Sequence, residues 1–297
     1  MSEECNKIHQ WFNGMRIFYF PFDENEISHN GIYILFEKGE KAHGMNRIVR
    51  IGTHTGGNQL KSRLCQHFIN ENKDRSIFRK NIGRALLNKD KDQFLQQWNL
   101  DLTTRKAKEL HTDEIDLVKQ KEVEKKVTKY MQDNFNFVVF EIPEKEDRLM
   151  LESKIISTVS SCGECKPSEN WLGLFSPKKK IRESGLWLVN ELYKDPLNDE
   201  DLNELKILLN VPDEELCRIF YMDIMLHKYT KSEEFDENLL GEKLKEIKID
   251  SEKLSIEEIK RRVLKINNDN RKWYERFEQK ISTKKKIKIN DLVIENW

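Results

Sequence analysis

The sequence has no apolar run approaching the ~18 residues that a membrane-spanning helix needs, so no membrane partner is expected. It also lacks net charge, since Lys+Arg and Asp+Glu both number 52. That balance excludes a histone-like coat of positive charge. It still allows a local basic groove on an otherwise acidic body. The N-terminus, Met1-Ser2-Glu3-Glu4-Cys5, has neither the basic flank nor the apolar core of a signal peptide. Cysteine is scarce, 5 in 297 residues. The odd, mostly scattered set argues against a disulfide framework and for a reducing cytoplasm. No internal repeat and no low-complexity linker interrupts the chain. What is abundant is charge, at 35% of residues, as expected of long solvated helices.

The chain is long enough for one large domain or two ordinary ones. Residues 1–28 are aromatic-rich from Ile8 to Phe22 and read as a leading segment packed on the main domain. Gly31-Ile32-Tyr33, continuing to Glu37, and Arg47-Ile48-Val49-Arg50-Ile51-Gly52 read as strands of an antiparallel hairpin. Thr53-His54-Thr55-Gly56-Gly57 turns into a helix from about Gln59, with Leu60, Leu64 and Phe68 as its buried stripe and Arg63 and His67 on a flank. Ser76 can cap a second helix with an apolar side (Phe78, Ile82, Ala85) and a basic one (Arg79, Lys80, Arg84). The charged stretch of about 100–134 reads as an inserted helix. Phe135 to Ile142 is a strand, Glu144 to Val159 a helix, and Ile181 to Tyr193 another.

Asp195-Pro196 is the best boundary signal. It gives a main domain of 29–195 and a helical C-terminal domain of 196–297, the latter for DNA contact, dimerisation or a protein partner. That second part reads as helices over 199–209, 213–227, 236–247 and 256–278. It adds a capping box at Ser255 and Glu258, an aromatic group (Trp273, Tyr274, Phe277) and a basic tail from Lys284 to Lys288.

Hydrolysis of a phosphodiester needs an activated water, charge stabilisation at phosphorus and help for the leaving oxygen. A hard cation on a carboxylate supplies the last two, arginine is a two-pronged phosphate donor, and tyrosine or histidine can move a proton. The ordered set of Gly31-Ile32-Tyr33, Arg50-Ile51-Gly52, Arg63, His67, Glu152 and Asn170 resembles the GIY-YIG nuclease superfamily over about residues 30–193. The resemblance implies an α/β fold, with a small antiparallel three-stranded sheet flanked by helices. It also implies a Mg²⁺- or Mn²⁺-dependent DNA endonuclease. In that reading Tyr33 prepares the water, Arg63 contacts the scissile phosphate, His67 assists, Glu152 binds the metal and Asn170 orients the site. The departure is Arg50, which stands where the family has tyrosine. Arginine cannot act as a base at neutral pH, so Arg50 is read as an electrostatic substitute beside Tyr33.

A lone nuclease with a private helical module suits restriction or phage defence. His54 and the basic side of the second helix (Arg79, Lys80, Arg84) are candidate DNA contacts, as is Lys178-Lys179-Lys180. The alternative is a non-catalytic DNA-binding or partner-docking protein on the same scaffold. An open cleft holding Tyr33, Arg63 and Glu152 would favour the enzyme. A buried Tyr33, or Glu152 locked in an ion pair such as one with Arg148, would favour the alternative. Cys162-Gly-Glu-Cys165 is a single CxxC with no second pair in the sequence. Free thiols are its default reading, and zinc would need ligands brought in by the fold, such as His54, Cys65 or His67.

Overall fold

The computed structural model of the protein describes residues 2–209 and Val211. One compact unit runs from Met1 to Leu209. The helices, capping box, aromatic group and basic tail expected from residue 213 onward lie outside the described residues.

The chain opens with α1 (Ser2–Gly14), whose buried residues Cys5, Ile8, His9 and Phe12 share one face. The short strand β1 (Phe18–Tyr19) and the hairpin β2 (Ile32–Ala42) and β3 (Met45–Gly52) follow. Next come α2 (Leu60–Phe68), α3 (Ile77–Lys89), α4 (Leu95–Asn99), α5 (Arg105–His111) and α6 (Leu117–Asn134). The last strand is β4 (Phe135–Phe140), followed by α7 (Lys145–Ser160), α8 (Lys179–Ser184) and α9 (Asp199–Leu208). The sheet order is β1-β4-β2-β3, antiparallel throughout. The expected three strands are present, and β1 adds a short fourth at the edge.

Strand β2 is central and covered on both faces. Ile32, Ile34 and Phe36 alternate with Tyr33 and Leu35, and none of the five has any solvent contact. The even-numbered side packs on α1, α7 and α9 through Ile8, Phe12, Ile155, Val159 and Leu205. The odd-numbered side packs on α2, α3 and α6 through Leu64, Phe68, Phe78, Ile82, Val127 and Met131. This period of two over a doubly covered sheet is what the apolar run at 32–36 requires. A bulge breaks it on β3. Leu35 pairs with Arg50 but Phe36 pairs with Ile48, so Val49 is the extra residue. Val49 joins the α2–α3 core, and Arg50 points the same way, its guanidinium 4.8 Å above the Phe78 ring.

Three expectations are corrected. The stretch of about 100–134 is not one inserted helix. It is two helices, and α6 buries Val123, Val127 and Met131 in the main core before leading directly into β4. The expected helix from Ile181 to Tyr193 stops at Ser184, where Gly185 adopts φ 69°. A left-handed residue just past a helix end is glycine's usual place, and the chain then runs beside β3, with Trp187 N–H donating to Val49 O at 2.8 Å. The compact unit also extends past Pro196. Helix α9, opened by an Asn198–Asp201 capping box, buries Leu202 and Leu205 in the α1–α7 core.

The fourth correction concerns α3. Ser76 caps it as expected, accepting from Arg79 N–H, but its basic side is not solvated. Arg79 is fully buried. Its guanidinium donates to Glu124 Oε2 at 2.7 Å, to His67 O at 2.9 Å and to Thr128 Oγ1 at 2.7 Å. Lys80 is buried against Asp74 and Leu100 O, and Arg84 donates to Asn99 Oδ1 and Asn81 Oδ1. These cations hold helices together, and their burial stands against the expected DNA contacts. Breaking a buried pair from one side strands the other charge, at about 3–5 kcal/mol, whereas replacing both partners by apolar groups is close to neutral. Chemical denaturation should therefore show Arg79→Met destabilised by about that amount, and Arg79→Met/Glu124→Leu restored only in part, because His67 O, Thr128 Oγ1 and Lys73 N–H lose their partners. A double variant as unstable as the single one would refute this account.

Candidate active site

The end of β3 gathers the site. Gly52 pairs with Tyr33 across the hairpin, and a Cβ on Gly52 would stand 2.2 Å from the Tyr33 hydroxyl. Only glycine lets the phenol lie across this strand end. The glycine of the first tripeptide has a similar reason, because a Cβ on Gly31 would meet Phe140 O at 2.1 Å.

Tyr33 Oη and His67 Nε2 are hydrogen-bonded at 2.8 Å, and His67 Nδ1 and Ser76 Oγ at 2.8 Å. Either imidazole tautomer completes this chain. Tyr33 and His67 are both fully buried. Desolvation, together with the charges of Arg63, Arg50 and Arg79, holds His67 well below the usual histidine range, so the ring is neutral at physiological pH. Preparing an attacking water requires a hydroxyl that water can touch, and this one is sealed. That burial stands against the expected roles of Tyr33 as base and His67 as proton-transfer or DNA-contacting group. The pair ties β2 to α2 and to the N-terminus of α3.

Glu152 reaches the same strand end from α7. Its Oε1 accepts from Thr53 N–H at 3.1 Å. Burial raises its pKa, opposed by the charge of Arg50, the Thr53 hydrogen bond and the charge of Arg63. Among the described residues it forms no ion pair. Arg148, the expected partner, instead donates to Ile142 O and Pro143 O. Arg63 is half-buried. Its Nη1 donates to Gln66 Oε1 and Arg75 O, leaving the rest of the guanidinium without a hydrogen bond among the described residues. Arg50 donates through Nη1 to Trp187 O at 2.6 Å. Its Nε is buried with no partner among the described residues, a cost that structural packing alone does not explain.

Two expected site residues are elsewhere. His54 is buried, with Nδ1 bonded to Gly56 O at 2.6 Å and Nε2 accepting from Gly31 N–H at 3.4 Å. With both ring nitrogens engaged, it shapes the turn. Asn170 is exposed on a loop anchored to the far half of the hairpin. There Ser168 binds Glu40, and Trp171 Nε1 donates to Glu37 Oε2 at 2.7 Å. Glu37 is four residues from Tyr33 along the strand, about 13 Å. The segment that does border the site is 186–191. Trp187 receives Arg50, and Ser153 Oγ, beside Glu152, donates to Glu191 Oε2 at 2.5 Å. The charge of Glu191 raises Glu152 further. The asparagine on that segment is Asn190. Gly185 as a helix stop was the sequence signal that would have placed it.

The family model of the GIY-YIG domain matches residues 3–213. The chain belongs to the GIY-YIG family. No curated protein and no solved structure gives a match. GIY-YIG domains are nuclease domains that act on DNA, in general with a divalent metal. In this GIY-YIG domain both tripeptides occupy the paired strand ends of the hairpin, with Arg50 on the face toward α3.

The sealed chain can be tested directly. Tyr33→Phe leaves His67 Nε2 unpartnered in the core and should lower stability by about 1–3 kcal/mol in chemical denaturation. Because the folded pKa of His67 is depressed, the unfolded state binds its proton first, and stability drops as pH falls below about 6.5. The stability difference between wild type and His67→Gln should therefore narrow on acidification from pH 7.5 to 5.5. A difference independent of pH would refute the neutral assignment.

Proposed function

We propose that this GIY-YIG domain is a divalent-metal-dependent DNA endonuclease serving restriction or phage defence. The observation that carries the reading is Glu152. It is a partly buried carboxylate with no ion pair among the described residues, anchored through one oxygen by Thr53 N–H and neighboured by two guanidinium groups. The donor set fits Mg²⁺ or Mn²⁺, which take one or two carboxylates and fill their remaining positions with water and phosphate oxygens. When bound, such a metal supplies Lewis-acid stabilisation of charge at phosphorus and on the leaving oxygen.

The chain's own residues do the rest. Glu152 would hold the cation. Arg63, with part of its guanidinium unengaged, grips the phosphate. Arg50 lends charge from behind and holds the 186–191 segment, so that Asn190 and Glu191 border the site. Tyr33 and His67 fix α2, and with it Arg63, against the strand end. Burial of Tyr33 is the observation that favours the second reading, a non-cutting DNA-binding or partner-docking protein on this scaffold.

Cleavage of plain, methylated and phage DNA with Mg²⁺ or Mn²⁺ separates the two. Wild type should nick or linearise, and Glu152→Ala and Arg63→Ala should each lose about 10²-fold or more while remaining folded. DNA binding by wild type without cutting of any substrate, unchanged in Glu152→Ala, would establish the second reading instead. The pKa of Glu152 is raised, and its protonated form cannot hold a cation. Cleavage should therefore decline on acidification at a pH above the ordinary carboxylate range of about 4.3, and added metal should move that decline to lower pH.

A further inference from the structure

Far from Glu152, at the tip of the β2–β3 hairpin, three separate stretches of chain bring sulfur and imidazole together. Cys5 comes from the first turn of α1 and His43 from the hairpin turn. Cys162 and Cys165 come from the loop after α7. Cys5 Sγ and Cys165 Sγ are 3.4 Å apart, and His43 Nε2 lies 3.5 Å from both Cys162 Sγ and Cys165 Sγ. Cys162 also interacts with Cys5 and Cys165. His9 lies beside them, and the donor atoms of Cys5, His9, His43 and Cys165 all fall within 4.8 Å of one another.

We propose that this corner is a structural zinc site with Cys5, Cys162, Cys165 and His43 as its ligands. With Zn–S near 2.3 Å and Zn–N near 2.0 Å, tetrahedral coordination places sulfurs about 3.8 Å apart and sulfur and nitrogen about 3.5 Å apart. The Cys5–Cys165, His43–Cys162 and His43–Cys165 spacings of 3.4, 3.5 and 3.5 Å are close to these. Buried free cysteines are ordinarily small apolar fillers, and filler thiols have no need to converge on an imidazole nitrogen. The geometry of His43 adds a second, independent observation. Its Nδ1 lies 3.3 Å from Glu164 Oε2, the carboxylate–histidine arrangement that fixes Nε2 as the ligating atom. The residue is held at φ 51° in a tight turn with Gly44 at φ 73°, a conformation that non-glycine residues seldom adopt.

His9 is the rival fourth ligand, and its hydrogen bonds argue against it. Nδ1 bonds to Cys5 O at 2.8 Å, and Nε2 accepts from Ile48 N–H at 3.2 Å. Both ring nitrogens thus have backbone partners, while Nδ1 also lies 3.5 Å from Cys5 Sγ and Nε2 3.8 Å from Cys165 Sγ, and His9 serves to support the site. A cavity of about 390 Å³ lined by Cys162, Cys165, Lys166 and Tyr193 gives the metal an entry path. The CxxC that looked incomplete in the sequence is completed from residues 119 and more positions upstream, not by the anticipated His54, Cys65 or His67. The site would staple α1, the hairpin tip and the 161–166 loop to one another. It is distinct from the hard-cation site at Glu152, and its existence does not depend on the nuclease reading.

The test is metal analysis of the full chain, purified under reductant without added chelator. One zinc per chain is expected by plasma mass spectrometry, retained in Cys65→Ser and His9→Gln and lost in Cys162→Ser and His43→Ala. Removing zinc with a strong chelator should lower the thermal midpoint by several degrees. If the ligand variants fail to fold, cobalt substitution of wild type decides the matter. Intense tetrahedral d–d bands with charge transfer from three thiolates support the site. Metal-free wild type after refolding with zinc, or a native Cys5–Cys165 disulfide, would overturn it. Zinc kept by Cys162→Ser but lost by His9→Gln would overturn the ligand set.

Discussion

Over residues 32–37 strand β2 is enclosed between β4 and β3 and roofed by helices on both faces, so any polar side chain there must be satisfied inside the protein. Two such groups organise the fold. Tyr33 bonds to His67, which bonds to Ser76 at the start of α3. Glu37 accepts from Tyr130 on α6 and from the indoles of Trp171 and Trp187. A hydrogen bond of this kind adds only about 1 kcal/mol net, but leaving one of its members buried and unpaired costs about 1–3 kcal/mol. These groups therefore act mainly by excluding other arrangements. With β2 in place, α2, α6 and the stretch from 171 to 187 each have one position that satisfies it.

The same enclosure explains where reactivity can sit. The middle of the sheet is dry on both sides, and the strand end at Gly52 and Thr53 is where its two faces meet. Glu152 comes from the α7 side, Arg50 and Arg63 from the other. Burial opposes the charge of Glu152 and the two guanidinium groups favour it. Burial prevails and raises the pKa, and a cation beside the carboxylate would favour its charged form. Arg50 fits this setting better than lysine would. Its planar head stacks on Phe78 while Nη1 reaches Trp187 O, and a lysine ammonium cannot do both.

Charge in this protein is divided by depth rather than by sequence. Arg47, Arg79 and Arg148 are among the largest fully buried side chains. Each is spent on internal acceptors: Glu40 and Gly185 O for Arg47, Glu124 for Arg79, and the carbonyls at the end of β4 for Arg148. The exposed Lys178-Lys179-Lys180 run differs from these in no way that a count of basic residues would reveal. A zero net charge therefore conceals a core that consumes several of the cations.

Local pattern was enough to place most of the elements. The hairpin, the α2 stripe of Leu60, Leu64 and Phe68, the Ser76 cap, strand β4 and the helix bearing Glu152 were all legible, because periodicity and capping depend on near neighbours in the chain. The tripeptides and the order of Arg63 and Glu152 were legible for the same reason, and they carried the family. Three things were not legible. Burial of Arg79 and His67 depends on which helix covers which face, and α6 comes from more than forty residues away. The segment bordering Glu152 depends on a single left-handed glycine, after which the chain follows β3. The meeting of Cys5, His43, Cys162 and Cys165 depends on packing a terminal helix against a hairpin tip. Sequence by itself determined which residues repeat, cap and turn. Tertiary structure decided which charges are buried, which hydroxyl is sealed and which thiols meet, because those outcomes depend on solvent exclusion between segments remote in the chain.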